Sequence, residues 1–103
     1  MGILSKLFGP KVDLDAWVKE GAQIVDVRTA GEFKGGNVKG SKNIPLDQLR
    51  ASISKLDKSK PVITCCASGM RSGSAKSILQ SAGFEKVANG GSWSSLRKYS
   101  KWK

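Results

Sequence analysis

The stretch VITCCASGMRS, residues 62–72, joins an apolar run, a tight loop and the start of a helical pattern. Apolar and β-branched side chains over residues 61–65 predict a buried central strand. The loop that follows has the spacing Cys-x-x-Gly-x-Arg-Ser, which begins at Cys66. Gly69 lets this loop close tightly, so its backbone N–H groups can surround the Cys66 sulfur and favour an anion there.

Strands and helices alternate on both sides of this stretch. Such alternation predicts an α/β fold with a mainly parallel central sheet of about five strands and helices on both faces. Ligands bind such sheets beyond the carboxyl ends of the strands, which is where Cys66 falls. Before the 61–65 strand, the predicted elements are a helix capped by Asp13, a strand over 23–27, a helix begun by a Thr29–Glu32 capping box and a very short strand within 38–44. A helix from Pro45 follows, with the apolar stripe Leu46, Leu49, Ile53 and Leu56. After the 61–65 strand come a helix capped by Ser72, a strand over 84–88, a turn at Asn89-Gly90-Gly91 and a helix over 92–99.

The length of 103 residues, with 39% hydrophobic content, suits one domain. We expect that domain to span residues 1–103, with an N-terminal extension at 1–11 and a basic tail at 97–103. The net charge is +10, and from Lys58 onward there are nine basic residues and one acidic residue. This half should attract small anionic substrates or an acidic partner protein. Nucleic acid is the least favoured partner, because no recognised nucleic-acid-binding module surrounds the basic tail.

The two cysteines are adjacent in the sequence, and neighbouring cysteines rarely form a structural disulfide. This pattern favours a reducing compartment. No apolar run has the length of a bilayer span, and the first ten residues lack the features of a signal peptide. We therefore expect a cytoplasmic protein that does not associate with a membrane.

Cys66 is the candidate nucleophile of the chain. A cysteine reacts as its thiolate, which here would be favoured by the loop amides, by the positive end of the following helix and by the basic surroundings. A cysteine that only packs is the alternative, but the ordered Gly69, Arg71 and Ser72 favour chemistry at Cys66. Cys65 lies within the apolar strand with its side chain on the opposite face, so we expect it to pack.

The loop resembles the active-site loop of the rhodanese family of sulfurtransferases. Further stretches resemble family landmarks in the same order, and together they cover roughly residues 12–96: Ile24-Val25-Asp26-Val27-Arg28 with Glu32-Phe33, VKGSKNIP at 38–45, and Gly83-Phe84 through Gly90-Gly91. The resemblance implies that Cys66 forms a persulfide from thiosulfate or a related anionic sulfur donor and passes the sulfur to cyanide or a thiol. It implies neither a metal nor another cofactor. The substrate-binding residues that it implies are Ala67, Ser68, Gly69, Met70, Arg71 and Ser72, with Met70 covering the sulfur.

This chain departs from the family pattern at two points. The family usually has a histidine where Asn37 stands, and this chain contains no histidine, so Cys–His catalysis is excluded. Trp93 also lies closer to the Gly-Gly pair than is usual. Phosphatase relatives have a longer loop. Counting from Cys65 would give the phosphatase spacing, but it places Gly69 out of register.

The roles of the charged residues near the loop stay open at this point. Arg71 could bind the sulfonate end of thiosulfate or brace the loop by pairing with a buried carboxylate such as Asp26. Arg28 and Glu32 resemble a structural ion pair of the family, so we assign Asp26, Arg28 and Glu32 to structural support.

Two alternatives to a thiosulfate sulfurtransferase remain. One is a persulfide carrier that works in a sulfur relay and docks an acidic partner protein through its basic face. The other is a redox or arsenic-type sensor built on the cysteine pair, which is disfavoured because adjacent cysteines make strained disulfides.

Overall fold

Four parallel strands form the central sheet of the structure, a computed structural model that describes residues 12–102. Their spatial order is β2-β1-β3-β4, and every neighbouring pair is parallel. The predicted mainly parallel α/β fold is confirmed, with four strands in the described part of the chain instead of about five. The predicted extension at 1–11 lies outside the described residues. The strands are β1 (Gln23–Asp26), β2 (Lys42–Asn43), β3 (Val62–Cys66) and β4 (Val87–Ser92).

The described part of the chain has three α-helices: α1 (Leu14–Lys19) precedes β1, α2 (Ala30–Lys34) connects β1 to β2, and α3 (Met70–Ser81) connects β3 to β4. Two begin as predicted, since the Asp13 side chain caps α1 and Thr29 forms a capping box with Glu32 at α2. The predicted start of α3 at Ser72 is wrong. Gly69 is its N-cap, because a φ of +103° there turns the chain and lets the helix begin at Met70.

The predicted helices after Pro45 and over 92–99 are instead 3₁₀ segments, at Leu46–Gln48, Arg50–Lys55 and Trp93–Trp102. The predicted apolar stripe still faces the core, because Leu49 and Leu56 are buried and Leu46 and Ile53 pack against the same cluster. Tertiary packing therefore stabilises 3₁₀ segments here, which are wound more tightly than the α-helix that the spacing of the apolar residues predicts.

The last strand also differs from the prediction, which placed it at 84–88 and a turn at 89–91. β4 runs through those turn residues. A Cβ on Gly90 would lie 2.8 Å from Ile63 Cγ2 and 2.9 Å from the carbonyl oxygen of Thr64. Gly90 therefore allows β4 to approach β3 closely and does not mark a turn of the chain.

A separate hydrophobic core covers each face of the sheet. The first includes Val62 and Cys66 from β3 and is covered by α3 and the segments between β2 and β3, with Leu49 and Leu79 at its centre. The second includes Cys65 and is covered by α1 and the Trp93–Trp102 segment. Alternation of side chains along β3 thus directs the two cysteines to opposite faces, as predicted. Within residues 12–102, no helix has both the length and the apolar character that a membrane crossing requires.

Candidate active site

Cys66 is the last residue of β3, which lies in the interior of the sheet between β1 and β4. The next three residues leave the sheet and lead into α3, so the sulfur lies between a strand end and a helix start. Cys66 itself is fully buried, whereas Ala67, Ser68 and Met70 are exposed. These exposed residues separate the sulfur from solvent.

Three groups of the loop lie within hydrogen-bond distance of the Cys66 sulfur. The amide of Gly69 donates to Sγ at 3.0 Å, and the amide of Ser72 donates at 3.4 Å. The hydroxyl oxygen of Ser72 lies 3.5 Å from Sγ. The left-handed backbone of Gly69 turns its N–H toward the sulfur, and Ser72 belongs to the first turn of α3, where amides have no partner within the helix. The predicted ring of donors is therefore formed mainly by Gly69 and Ser72.

These donors favour the thiolate of Cys66. Burial by itself raises the pKa of the thiol, because it removes water from the charged form. The hydrogen bond with the Ser72 hydroxyl, together with donation from the amides of Ser72, Gly69 and Ser68, outweighs burial and lowers the pKa from 9.0 to about 7. A large fraction of Cys66 is therefore ionised at neutral pH.

Cys65 has the opposite environment. It is buried in the second core, and burial, together with the negative charge of Asp26, raises the pKa of its thiol to about 12. A thiol with that pKa is neutral at physiological pH and is a poor nucleophile. Cys65 therefore packs in the core, as the sequence predicts.

Arg71 forms an ion pair with Glu32, whose carboxylate accepts from Nη1 at 2.8 Å and from Nη2 at 3.1 Å. The two side chains are 37% and 39% exposed. Of the two roles left open for Arg71, bracing of the loop therefore occurs through Glu32 and not through Asp26, because Glu32 at the start of α2 meets the start of α3. Binding of a sulfonate by Arg71 stays a prediction. The pair braces the cysteine loop against α2, and the Arg71 side chain stays partly exposed to solvent.

Asp26 instead pairs with Arg28, and both residues are buried. The Arg28 guanidinium donates to both Asp26 carboxylate oxygens at 2.7–3.0 Å and to the carbonyl oxygens of Glu32 and Gly36. It also lies 4.6 Å from the ring centroid of Trp93. The predicted side-chain pair of Arg28 with Glu32 is therefore wrong, since Arg28 reaches only the backbone of that residue.

A mainly apolar groove of about 300 Å³ adjoins the loop on the Arg71 side. Contrary to the expectation from the sequence, Met70 does not cover the sulfur, because it is 81% exposed. An exposed methionine thus lies at the loop rim, and a groove lies beside Arg71. The groove is lined by Val27, Thr29, Pro45, Leu46, Asp47 and Arg71.

Asn89 is a site residue that the sequence analysis missed. Its Nδ2 donates to the Gly69 carbonyl oxygen at 3.0 Å, and its Oδ1 accepts from the Ser72 hydroxyl at 2.6 Å. In the sequence it appears as a turn residue before two glycines, and no spacing relates it to Cys66. Only the pairing of β4 with β3 brings it to the loop.

Comparison with known proteins agrees with this fold. Residues 11–96 match the family model described as the rhodanese-like domain. The putative sulfur carrier protein YrkF of Bacillus subtilis is 33% identical over 80% of this chain and 42% of its own length. The thiosulfate sulfurtransferase PspE of Escherichia coli is 36% identical over 65% of this chain and 66% of its own length.

Among solved structures, a rhodanese with anions from E. coli superimposes with a TM-score of 0.65 at 33% identity, over 72% of this chain and 89% of that one. The chain spans between 42% and 72% of the length of these and similar curated relatives. Because the family match extends from α1 through β4, it includes the cysteine loop and the whole sheet. The chain belongs to the rhodanese-like domain family.

Proposed function

We propose that this protein is a sulfurtransferase that carries sulfur as a persulfide on Cys66. The observation that carries this proposal is the ring of Gly69 and Ser72 donors around a sulfur whose pKa is lowered to about 7. Such a ring stabilises a sulfur anion without a histidine, and this chain has none. The thiosulfate sulfurtransferase PspE and the putative sulfur carrier YrkF among its relatives support this chemistry.

In the first step, the Cys66 thiolate attacks the outer sulfur of thiosulfate. A bond forms between the two sulfurs while the bond from the outer sulfur to the sulfonate sulfur breaks, and sulfite leaves with that electron pair. In the second step, cyanide or a thiolate attacks the outer sulfur of the persulfide, and Cys66 departs as a thiolate. This is covalent catalysis in two steps, with no net oxidation and no cofactor.

The loop residues divide this work according to their positions. The amides of Gly69 and Ser72 hold the anionic sulfur, and the partly exposed guanidinium of Arg71 can bind the sulfonate while it pairs with Glu32. Ala67, Ser68 and Met70 form the exposed rim. Because Cys66 is fully buried at rest, the rim must move aside when a donor enters.

A persulfide carrier in a relay is the second candidate. The buried sulfur and the basic half of the chain favour it, since a docked acidic protein could open the rim where a free small anion would do so slowly. The adjacent free thiols suit a reducing compartment, so we place either activity in the cytoplasm.

Matched cysteine variants test the proposal. Cys66→Ala should abolish thiocyanate formation from thiosulfate and cyanide, whereas Cys65→Ala should retain it. Intact-mass measurement after thiosulfate treatment should show one added sulfur that cyanide removes and that maps to Cys66. Undiminished activity in Cys66→Ala, or sulfur mapping to Cys65, would sink the proposal.

A comparison of sulfur donors separates the two candidates. An enzyme should turn over thiosulfate at a rate that depends little on a partner. A carrier should accept sulfur far faster from a protein persulfide than from thiosulfate, with a rate that falls steeply as salt is added, because charge attraction over a docking face is screened.

A further inference from the structure

Asn89 makes three hydrogen bonds that determine its orientation. Its Nδ2 donates to the Gly69 carbonyl oxygen at 3.0 Å. Its Oδ1 accepts from the Gly91 amide at 2.9 Å and lies 2.6 Å from the Ser72 hydroxyl oxygen. An amide oxygen has no hydrogen to give, so the Ser72 hydroxyl must be the donor in the shortest of these bonds.

This assignment determines the hydrogen bond between Ser72 and Cys66. A serine hydroxyl has a single hydrogen, and Asn89 holds it. The Ser72 oxygen, 3.5 Å from Sγ, can then only accept, so the neutral Cys66 thiol donates to it. The hydrogens therefore run in one direction, from Cys66 to Ser72 to Asn89.

Ionisation of Cys66 must reverse part of this chain. A thiolate has no hydrogen to donate, so its charge would face the lone pairs of the Ser72 oxygen. The conflict disappears if the Ser72 hydrogen rotates from Asn89 to the sulfur. Asn89 can give it up, because the Gly91 amide still satisfies Oδ1.

We propose that Asn89 is a positioning residue that holds the Ser72 hydroxyl hydrogen while Cys66 is neutral and releases it to the sulfur when Cys66 is an anion. In the persulfide the charge moves to the outer sulfur, and the hydrogen can return to Asn89. The loop thereby adapts to both states of the proposed reaction without moving its backbone. The hydrogen bond from Asn89 to the Gly69 carbonyl oxygen also holds Gly69 in place, and the Gly69 amide is the other donor to the sulfur.

The charged and titratable groups around Cys66 do not perform the role that we assign to Asn89 and Ser72. On the α3 side, Arg71 is paired with Glu32, and on the β1 side, Asp26 is paired with Arg28. Cys65 of β3 faces the opposite core. β4, which carries Asn89, has no ionisable side chain. Ser72 and Asn89 are thus the neutral side chains that respond to the charge on the sulfur.

A double-mutant cycle between Asn89 and Ser72 isolates the effect. The measurement is the rate constant for alkylation of Cys66 by iodoacetamide as a function of pH, in a Cys65→Ala background, for the unchanged loop, Asn89→Ala, Ser72→Ala and the double variant. At pH values below the pKa of Cys66, this rate constant follows the fraction of Cys66 that is present as thiolate. Loss of the Gly69 contact occurs in both Asn89→Ala proteins, so it cancels in the cycle.

At pH values well below the pKa of Cys66, Asn89→Ala should raise the thiolate fraction about tenfold more when Ser72 is present than in the Ser72→Ala background, since a freed hydroxyl donates to the anion. Asn89→Asp should give a coupling of the opposite sign, because a carboxylate holds the hydroxyl more strongly, and its distant charge effect cancels in the same cycle. Asn37→Ala, which loses a side-chain bond to the Phe33 carbonyl away from the loop, is the control and should show no coupling.

Equal effects of the Asn89 substitutions with and without Ser72, or a coupling of the wrong sign in either variant, would overturn the proposal. The role of Asn89 rests on the proposed nucleophile Cys66. The alkylation assay nevertheless reads ionisation and needs no sulfur transfer, so failure of the cycle with intact thiocyanate formation would reject Asn89 alone. An intact cycle without sulfur transfer would reject the proposed function and leave the role of Asn89 standing.

Discussion

Cys65 and Cys66 are adjacent in the chain, yet their side chains lie in two different hydrophobic cores on opposite faces of the sheet. Burial next to Asp26 raises the pKa of Cys65 to about 12, while the Ser72, Gly69 and Ser68 donors overcome burial and lower the pKa of Cys66 to about 7. One residue of register along β3 therefore separates a thiol whose pKa is raised from a thiol whose pKa is lowered.

This difference predicts the order of alkylation. At pH 7, iodoacetamide should modify Cys66 and leave Cys65 unmodified, and the rate should rise with pH and level off above about 7, well below the 9.0 of an ordinary thiol. Peptide mapping by mass spectrometry at each pH measures both. Modification of Cys65 at a comparable rate, or a rate that still climbs steeply at pH 9, would contradict the assigned environments.

The buried Arg28–Asp26 pair should be needed for stability. Arg28→Met keeps much of the side-chain length but leaves the Asp26 charge buried without its partner, so we expect a loss of about 3–5 kcal/mol in the free energy of unfolding. Lys86→Met breaks the exposed pair with Glu20 and should cost less than about 1 kcal/mol. Urea denaturation of both variants makes the comparison, and similar losses would show that burial does not set the strength of these pairs.

Gly90 and Gly31 form a matched test of close packing. A Cβ at Gly90 would lie 2.8 Å from Ile63 Cγ2 and 2.9 Å from Leu96 Cδ1, so Gly90→Ala should destabilise the fold by about 1–3 kcal/mol. Gly31 lies in α2 with open space around its Cβ position, so Gly31→Ala should stabilise by about 0.5–1 kcal/mol. Thermal unfolding of the two variants should shift in opposite directions. A stable Gly90→Ala protein would mean that β4 can move away from β3.

Glu32 should contribute to acid sensitivity. The side-chain hydrogen bond from Arg71 is the main cause that lowers the pKa of Glu32 from 4.5 to about 2. A carboxyl with a lowered folded-state pKa stabilises the fold above its unfolded-state value, and this contribution is lost as pH falls from about 4.5 to about 2. Glu32→Gln should therefore flatten the loss of unfolding free energy over that range.

The control for this titration is Glu85→Gln, which removes an exposed glutamate that is outside the ion pairs of residues 12–102. The loss of unfolding free energy of this variant as pH falls should match that of the unchanged protein. If Glu32→Gln and the unchanged protein lose stability in parallel below pH 4.5, the pair with Arg71 does not persist in solution.

Local signals predicted the elements whose causes lie within a few residues. The Asp13 cap, the Thr29–Glu32 capping box and the apolar β3 strand each depend on neighbouring side chains, and the structure confirms all three. Alternation of strands and helices was sufficient to predict the parallel α/β sheet. The 3₁₀ segments after Pro45 were not predictable in the same way, because helical spacing of apolar residues is compatible with both helix types.

Charge pairing was predicted less well, because it depends on which segments meet. Arg28, Glu32 and Arg71 were all recognised as charged residues near the loop. The pairs themselves follow from the position of α2 beside the start of α3, which places Glu32 against Arg71 and leaves the β1 end to Arg28 and Asp26.

The sequence by itself predicted the parallel α/β architecture, which the structure confirms, and it proposed Cys66 over Cys65 as the nucleophile, because strand alternation and loop spacing are local properties of the chain. Only the tertiary structure decided the partners of the site: Glu32 for Arg71, and Asn89 for both Ser72 and Gly69. These contacts join residues 17 to 39 positions apart. They arise when the strands pair and bring separate loops to one edge of the sheet, and no spacing in the sequence encodes that meeting.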